Sequence, residues 1–175
     1  MNNMRRITVL AIAFISIILS ACSSEQEKLY SEIKSYEKTL FKDDKGLNDS
    51  IAQLFVEKSD NYVNLYRDDA NSPELLYKSG EILSGLGNYS QSIRRFQLLY
   101  GRYPKYNKRA ESIFICGFIY DTYLQDTRNA WFHYNKFLKE YPNHKLAEDA
   151  RASMSNLGKS PEELVKEFEM KEKGK

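Results

Sequence analysis

The chain has 175 residues, with 26 Lys and Arg against 24 Asp and Glu and therefore a formal net charge of +2. Arg5 and Arg6 are the only charged residues among the first 21, so the remaining chain carries 24 charges of each sign and is formally neutral. Proteins that bind nucleic acid normally carry a basic patch, and this balance argues against that class. The length suits one domain.

An export signal is predicted at the N-terminus. Arg5 and Arg6 precede a mostly apolar run from Ile7 to Leu19, and small residues follow it up to Cys22. A basic start, a short apolar stretch and small residues before a cut are typical of a signal peptide, here residues 1–21. The run is shorter than the ~20 residues that span a membrane comfortably. An ordinary signal peptide and an uncleaved anchor are the alternatives to the lipoprotein interpretation that follows.

The segment Leu19-Ser20-Ala21-Cys22 resembles the lipobox of bacterial lipoproteins, which are cleaved just before a cysteine that carries acyl chains. The resemblance implies lipidation of Cys22 and a polar tether over residues 22–28. Two or more acyl chains would anchor the protein stably, because each buried methylene contributes ~0.8 kcal/mol. In some bacteria an aspartate directly after the lipidated cysteine retains lipoproteins at the inner membrane, so its absence after Cys22 favours the outer membrane. The resemblance implies a lipid-anchored protein that faces the periplasm.

The first two helices are predicted over residues 27–42 and 48–67, with a break at Asp43-Asp44-Lys45-Gly46. The second has an apolar face formed by Ile51, Leu54, Phe55, Tyr62, Leu65 and Tyr66. This pair looks like a degenerate first copy of the repeat described next.

Residues 72–142 contain the same helical hairpin twice. Seven positions recur at an offset of 37 or 38: Gly80, Asn88, Ser92, Phe96, Leu99, Tyr103 and Pro104 correspond to Gly117, Asp126, Ala130, Tyr134, Phe137, Tyr141 and Pro142. A fixed period of roughly 20–50 residues indicates stacked supersecondary units. Ser72-Pro73 is predicted to cap and open the first hairpin, and the prolines at 104 and 142 to end the two hairpins.

Two further helices are predicted at the C-terminus. The seventh covers about residues 145–157 and is closed by Gly158 in a left-handed conformation. Ser160 and Glu163 have the spacing of a capping box that starts an eighth helix, whose Leu164, Val165 and Phe168 would cover the last hairpin. Residues 171–175 form a charged tail, and no strand is predicted.

The hairpin resembles a tetratricopeptide repeat. That family uses paired small and bulky residues for packing, here Gly80, Ser92, Phe96 and Pro104, and then Gly117, Ala130, Tyr134 and Pro142. The resemblance implies an all-α helical-hairpin solenoid over residues 29–170, with about three hairpins plus C-terminal capping helices and the best repeats at 72–104 and 110–142. The chain departs from the pattern in its 38-residue step and in Leu76 and Ile113, where the family has an aromatic residue.

Segments such as Asn-Tyr-Ser-Gln-Ser-Ile, which begins at Asn88, are similar to the periplasmic subgroup of this family. The subgroup includes outer-membrane protein assembly lipoproteins of the BamD type and Tol–Pal coordinators of the CpoB type. The resemblance implies a membrane-anchored adaptor that binds envelope proteins or client peptides in outer-membrane protein assembly. The alternatives are a coordinator linked to peptidoglycan, and a surface hydrolase or carbohydrate-binding lipoprotein.

In the tetratricopeptide family, the first helix of each hairpin lines a concave partner-binding groove. The resemblance places six residues there: Tyr77, Glu81, Ser84, Phe114, Phe118 and Asp121. The hypothesis is that exposed aromatic rings grip a partner while Glu81 and Asp121 select a basic or amide-rich segment. The alternative for the two phenylalanines is that they are core residues.

Catalytic and metal-binding patterns are absent from the sequence, and neither enzymatic activity nor a cofactor is expected. The two histidines, His133 and His144, lack neighbours at metal-ligand spacing, and His133 is expected to face solvent. Cys116 lies in an apolar run and is expected to be a small core residue. Trp131 is interpreted either as a packed residue between repeats or as a contact with a partner protein or membrane surface.

We expect Cys22→Ser to abolish incorporation of radiolabelled palmitate and to move the protein from the membrane to the soluble fraction, because the acylated residue is lost. Cys116→Ser is the matched control and retains both the label and the membrane association. Equal labelling of the Cys22→Ser variant and the native chain would contradict the lipoprotein interpretation.

Overall fold

The computed structural model describes residues 25–40, 47–160, 162, 163, 165, 166, 169 and 170. The export signal, Cys22, the break at 43–46 and the tail at 171–175 lie outside the described residues. The helices are α1 (25–40), α2 (Asp49–Leu65), α3 (Ser72–Gly85), α4 (Tyr89–Arg102), α5 (Arg109–Thr122), α6 (Thr127–Glu140) and α7 (Ala147–Asn156). The described residues from 162 to 170 are also helical, and none of the described residues forms a strand. The all-α class is confirmed.

The chain divides into two compact units after Leu75. The first contains α1, α2 and the start of α3. The second contains the remainder of α3 and all the helices that follow, so both complete glycine–aromatic pairs of the repeat belong to it.

In the first unit, α1 begins earlier than predicted. Residues 25–28 are helical rather than part of a tether. The side-chain amide of Gln26 explains the early start, because it donates to the Tyr62 hydroxyl (2.9 Å) and to the Asp69 carboxylate (2.8 Å) and so attaches the first turn to neighbouring segments.

The buried face of α2 also differs from the prediction. Leu54 and Leu65 are exposed, whereas Ala52, Val56 and Val63 are buried beside the expected Phe55 and Tyr62. The helix is therefore rotated relative to the predicted stripe. Small and β-branched side chains outside the predicted stripe therefore share the packing face with Phe55 and Tyr62.

Each hairpin of the second unit contains a glycine against which an aromatic ring packs. A Cβ placed on Gly80 would lie 2.7 Å from Cζ of Phe96, and a Cβ on Gly117 would lie 2.8 Å from Cδ1 of Tyr134. Both rings are fully buried. Real Cβ atoms do not make contacts this short, so both hairpins are packed at a separation that any larger residue would disturb.

A second small residue lies on the facing helix of each hairpin. Ser92 is buried and its hydroxyl donates to the carbonyl of Gly80 at 2.7 Å. Ala130, at the equivalent position, is also fully buried. The four helices α3 to α6 have 14 residues each. The starts of α4 and α6 are 38 residues apart (127 minus 89).

The helix ends follow the local signals in most places. α4 and α6 each end two residues before a proline, at Arg102 and Glu140. Gly158 has φ 76°, which confirms the left-handed cap after α7. The capping box is also confirmed: the Glu163 amide donates to Ser160 Oγ (3.2 Å), and the Ser160 amide donates to Glu163 Oε2 (2.7 Å).

The start of α3 was predicted less well. Ser72 was expected to cap the helix from outside, but it is the first helical residue and is buried. Its hydroxyl donates to the Tyr66 carbonyl at 2.6 Å, so it closes the preceding turn.

Candidate partner-binding surface

The six groove residues form three equivalent pairs, because each residue on α3 recurs on α5 at the offset of the packing glycines, 37 (117 minus 80). The pairs are Tyr77 with Phe114, Glu81 with Phe118, and Ser84 with Asp121. The six side chains differ in how much of their surface is exposed to solvent.

Tyr77 is buried, with only 6% of its surface exposed, which corrects the expectation of an exposed aromatic ring. Its ring packs edge-on against Phe96, with centroids 5.5 Å apart. Tyr106 lies beside it, and Lys108 Nζ lies 4.3 Å from the ring centre. The loop between α4 and α5 therefore covers this tyrosine, which is part of the core of the hairpin.

The two phenylalanines on α5 have different environments. Phe114 is half-buried and packs against Tyr134 and Phe137, with centroids 5.5 Å away in both cases. The core alternative therefore describes Phe114. Phe118 is 41% exposed, and its ring contacts that of Tyr123 edge-on at 5.9 Å. Phe118 is the aromatic member of the six that is available at the surface.

The three polar members differ in burial. Glu81, which corresponds to Phe118, is exposed, and Ser84 is half-buried. Asp121 is half-buried and accepts a hydrogen bond of 3.4 Å from the Tyr134 hydroxyl. Burial raises the pKa of Asp121 above its ordinary value, against the opposing effect of this hydrogen bond.

Five exposed large apolar side chains lie near the connected ends of α5 and α6, and the sequence analysis did not predict them as a group. We call this set the hairpin-tip patch; its members are Phe118, Tyr123, Leu124, Trp131 and Phe132. Within it, the rings of Phe118 and Tyr123 are in contact. Trp131 is 51% exposed, so the interpretation of it as a packed residue between repeats is wrong. Tyr89 at the start of α4 stacks on Tyr123 with centroids 4.4 Å apart and ring planes at 12°.

The sequence signal for this patch was weak. Tyr123 and Trp131 fall outside the helical stripes, and the resemblance placed Phe118 in the groove, but the exposure of Phe132 has no local signature. The connecting turn also contains Gln125 at φ 51°, a conformation that few residues other than glycine adopt.

Tyr100, Arg109 and Glu140 connect α4, α5 and α6. The Tyr100 hydroxyl donates to the Glu140 carboxylate, and Arg109 Nε donates to the Tyr100 carbonyl at 2.9 Å. The Arg109 guanidinium lies 4.0 Å from the Tyr100 ring centre, and Lys136 Nζ lies 4.1 Å from it. Burial, with the Glu140 hydrogen bond, raises the pKa of Tyr100 to about 12. The hydroxyl therefore remains a donor that links the two hairpins.

His133 is buried, with 4% of its surface exposed, so the expectation that it faces solvent is wrong. Its ring stacks on Tyr120 with centroids 5.4 Å apart, and Nε2 lies 3.4 Å from the side-chain nitrogen of Gln97. Nδ1 is buried without a hydrogen-bond partner among the described residues. Burial, together with the charge of Lys136, lowers the pKa of His133 to about 4.

Cys116 is buried in the core, as expected, and its thiol lies 3.9 Å from the Ile93 carbonyl. Burial raises the pKa of this thiol. The described residues contain no cluster of three or more His, Cys, Asp or Glu that could hold a metal ion.

Within the described part of the chain, no helix combines the length and apolar character needed to cross a bilayer. Neither protein-family models nor curated proteins gave a match to this chain.

We expect the free energy of unfolding to decrease as the pH falls from about 6.5 to about 4, with His133 as one contributor. The pKa of His133 is lower in the folded state than in the unfolded chain, so the unfolded chain binds the proton more tightly over this range. Urea unfolding at pH 7 and pH 4.5 measures the effect. We expect His133→Gln to lose about 2 kcal/mol less than the native chain between these values. Equal losses would show that His133 does not titrate as its burial implies.

Proposed function

We propose that the chain is a membrane-anchored adaptor lipoprotein with a tetratricopeptide-like repeat, which binds partner proteins in outer-membrane protein assembly. The anchor is supported by the lipobox-like segment that ends at Cys22. The repeat is supported by the two equivalent glycine–aromatic contacts, Gly80 with Phe96 and Gly117 with Tyr134. The role in envelope assembly is supported by the sequence resemblance to the periplasmic subgroup.

The observation that carries the adaptor proposal is the hairpin-tip patch. Its five large apolar side chains lie between residues 118 and 132, a span of 15 residues (132 minus 118, counting both ends). A concentration of exposed large apolar side chains at one end of a hairpin favours an interaction surface, whereas single scattered ones are ordinary. Tyrosine and tryptophan are enriched among the residues that dominate binding energy at protein interfaces.

The helices beneath the patch support its use as a rigid binding surface. Phe118 follows Gly117, whose close contact with Tyr134 fixes α5 against α6. Tyr123 is held by stacking on Tyr89 from α4. Aromatic anchors on fixed elements lose little side-chain freedom when they bind, so more of their contact energy becomes affinity.

Quantitative affinity purification of the detergent-solubilised lipoprotein tests the proposal. We expect barrel-assembly proteins to be recovered with the native chain, and Trp131→Ala to reduce that recovery at least about tenfold by removing an interface anchor. Leu65→Ala is the matched control, because Leu65 is 62% exposed but lies outside the patch.

Unchanged recovery with Trp131→Ala, in a variant with native helical content, would exclude this patch as the binding surface. Recovery of cell-wall synthases in place of barrel-assembly proteins would contradict the outer-membrane assembly role and favour the peptidoglycan-linked alternative.

A further inference from the structure

The first unit contains a cavity of about 180 Å³ at the start of α1. It is lined by Gln26, Glu27, Tyr30, Tyr62 and Asn71. A water molecule takes up about 30 Å³ in the liquid, so the cavity has room for a small polar group of several heavy atoms.

The half-buried ring of Tyr30 and the carboxylate of Glu27 give the cavity the character of a cation site. The Tyr62 ring is 1% exposed and packs against the rings of Tyr30 (centroids 5.7 Å apart, planes tilted by 48°) and Tyr66 (5.0 Å). Tyr62 therefore supports the Tyr30 ring, and Tyr30 provides the accessible aromatic surface. Faces of aromatic rings attract ammonium groups, most strongly where water is partly excluded. Glu27 adds a negative charge, and the five lining residues include no lysine or arginine.

A second carboxylate, that of Asp69, is hydrogen-bonded to three of the residues that line the cavity. Asp69 accepts hydrogen bonds of 2.8 Å from the Tyr62 hydroxyl, from the Asn71 backbone amide and from the Gln26 side chain. Although burial acts in the opposite direction, the hydrogen bonds from Asn71 and Tyr62 lower the pKa of Asp69. Asp69 is therefore ionised, and it holds three lining residues in position with its charge close to the cavity.

The short separation between the cavity and Cys22 in the sequence indicates that a bound cation would come from the membrane surface. Gln26 is four residues after Cys22, and a chain extends at most about 3.6 Å per residue, so the cavity lies within roughly 14 Å of the proposed acylated residue. The polar region of a bilayer adds about 5–8 Å on each side of its hydrocarbon core. A cavity so close to the anchor can reach the depth of the lipid headgroups.

We propose that this cavity binds the ammonium group of an ethanolamine phospholipid headgroup, between the Tyr30 ring and the Glu27 carboxylate. The inference rests on the proposed lipid anchor at Cys22, which brings the cavity to the headgroup layer. Such binding would orient α1 relative to the membrane, in addition to the attachment through the acyl chains.

The test uses the full acylated protein, labelled with ¹⁵N, in nanodiscs of phosphatidylglycerol to which phosphatidylethanolamine is added stepwise. We expect the side-chain amide signals of Gln26 and Asn71 to shift and saturate as the ethanolamine lipid is added. Glu27→Gln should weaken the apparent affinity about tenfold, because a charged partner of the ammonium is lost. Glu25→Gln is the matched control: it removes an equivalent exposed charge from the same helix turn but does not line the cavity.

Three results would overturn the proposal. The first is the absence of these shifts in a palmitate-labelled chain, which would leave the lipid anchor intact and reject the cavity alone. The second is equal weakening by Glu25→Gln and Glu27→Gln, which would indicate a general charge effect. The third is a response to soluble phosphoethanolamine without a response to the lipid, which would reject the headgroup as its source.

Discussion

The second unit depends on the close approach of an aromatic ring to a glycine in each hairpin. Phe96 and Tyr134 occupy the space in which a side chain on Gly80 or Gly117 would lie. The contact sets how near the two helices can come, and burial of each ring contributes apolar stabilisation of about 2 kcal/mol or more. In the first hairpin the short separation also brings Ser92 within 2.7 Å of the Gly80 carbonyl.

The packing of the glycines against the aromatic rings determines which side chains remain exposed and available for binding. Each glycine faces its own partner helix, and the residue that follows it lies about 100° further round the helix, where Glu81 and Phe118 are both exposed. Tyr123 and Leu124 in the turn after α5, and Trp131 and Phe132 in α6, are the other exposed members of the hairpin-tip patch. The bond between Tyr100 and Glu140 then links one hairpin to the next. The proposed binding surface is thus a consequence of the same contacts that stabilise the helices.

Features decided by local physical chemistry were predictable from the sequence. Gly158 and the pair of Ser160 and Glu163 specify helix ends through backbone conformation and hydrogen bonds within a few residues. Features decided by distant segments were not. For Tyr77 and His133, helical periodicity predicts the side of the helix on which the side chain lies but not how deeply it is buried. Tyr106 contacts Tyr77, and Tyr120 contacts His133, from other segments of the chain. The contact between Tyr100 and Glu140 joins residues 40 positions apart and has no local signature.

A double-mutant cycle on Gly117 and Tyr134, measured by urea unfolding of the purified chain, tests the central claim most directly. Gly117→Ala should destabilise the native chain by about 1–3 kcal/mol, because the new methyl group would overlap the ring. In a Tyr134→Leu background the same change should cost much less, with a coupling energy of at least about 1 kcal/mol. Gly101→Ala is the control: it has open space around it in α4 and should stabilise the helix. Additive effects of the two substitutions would contradict the account.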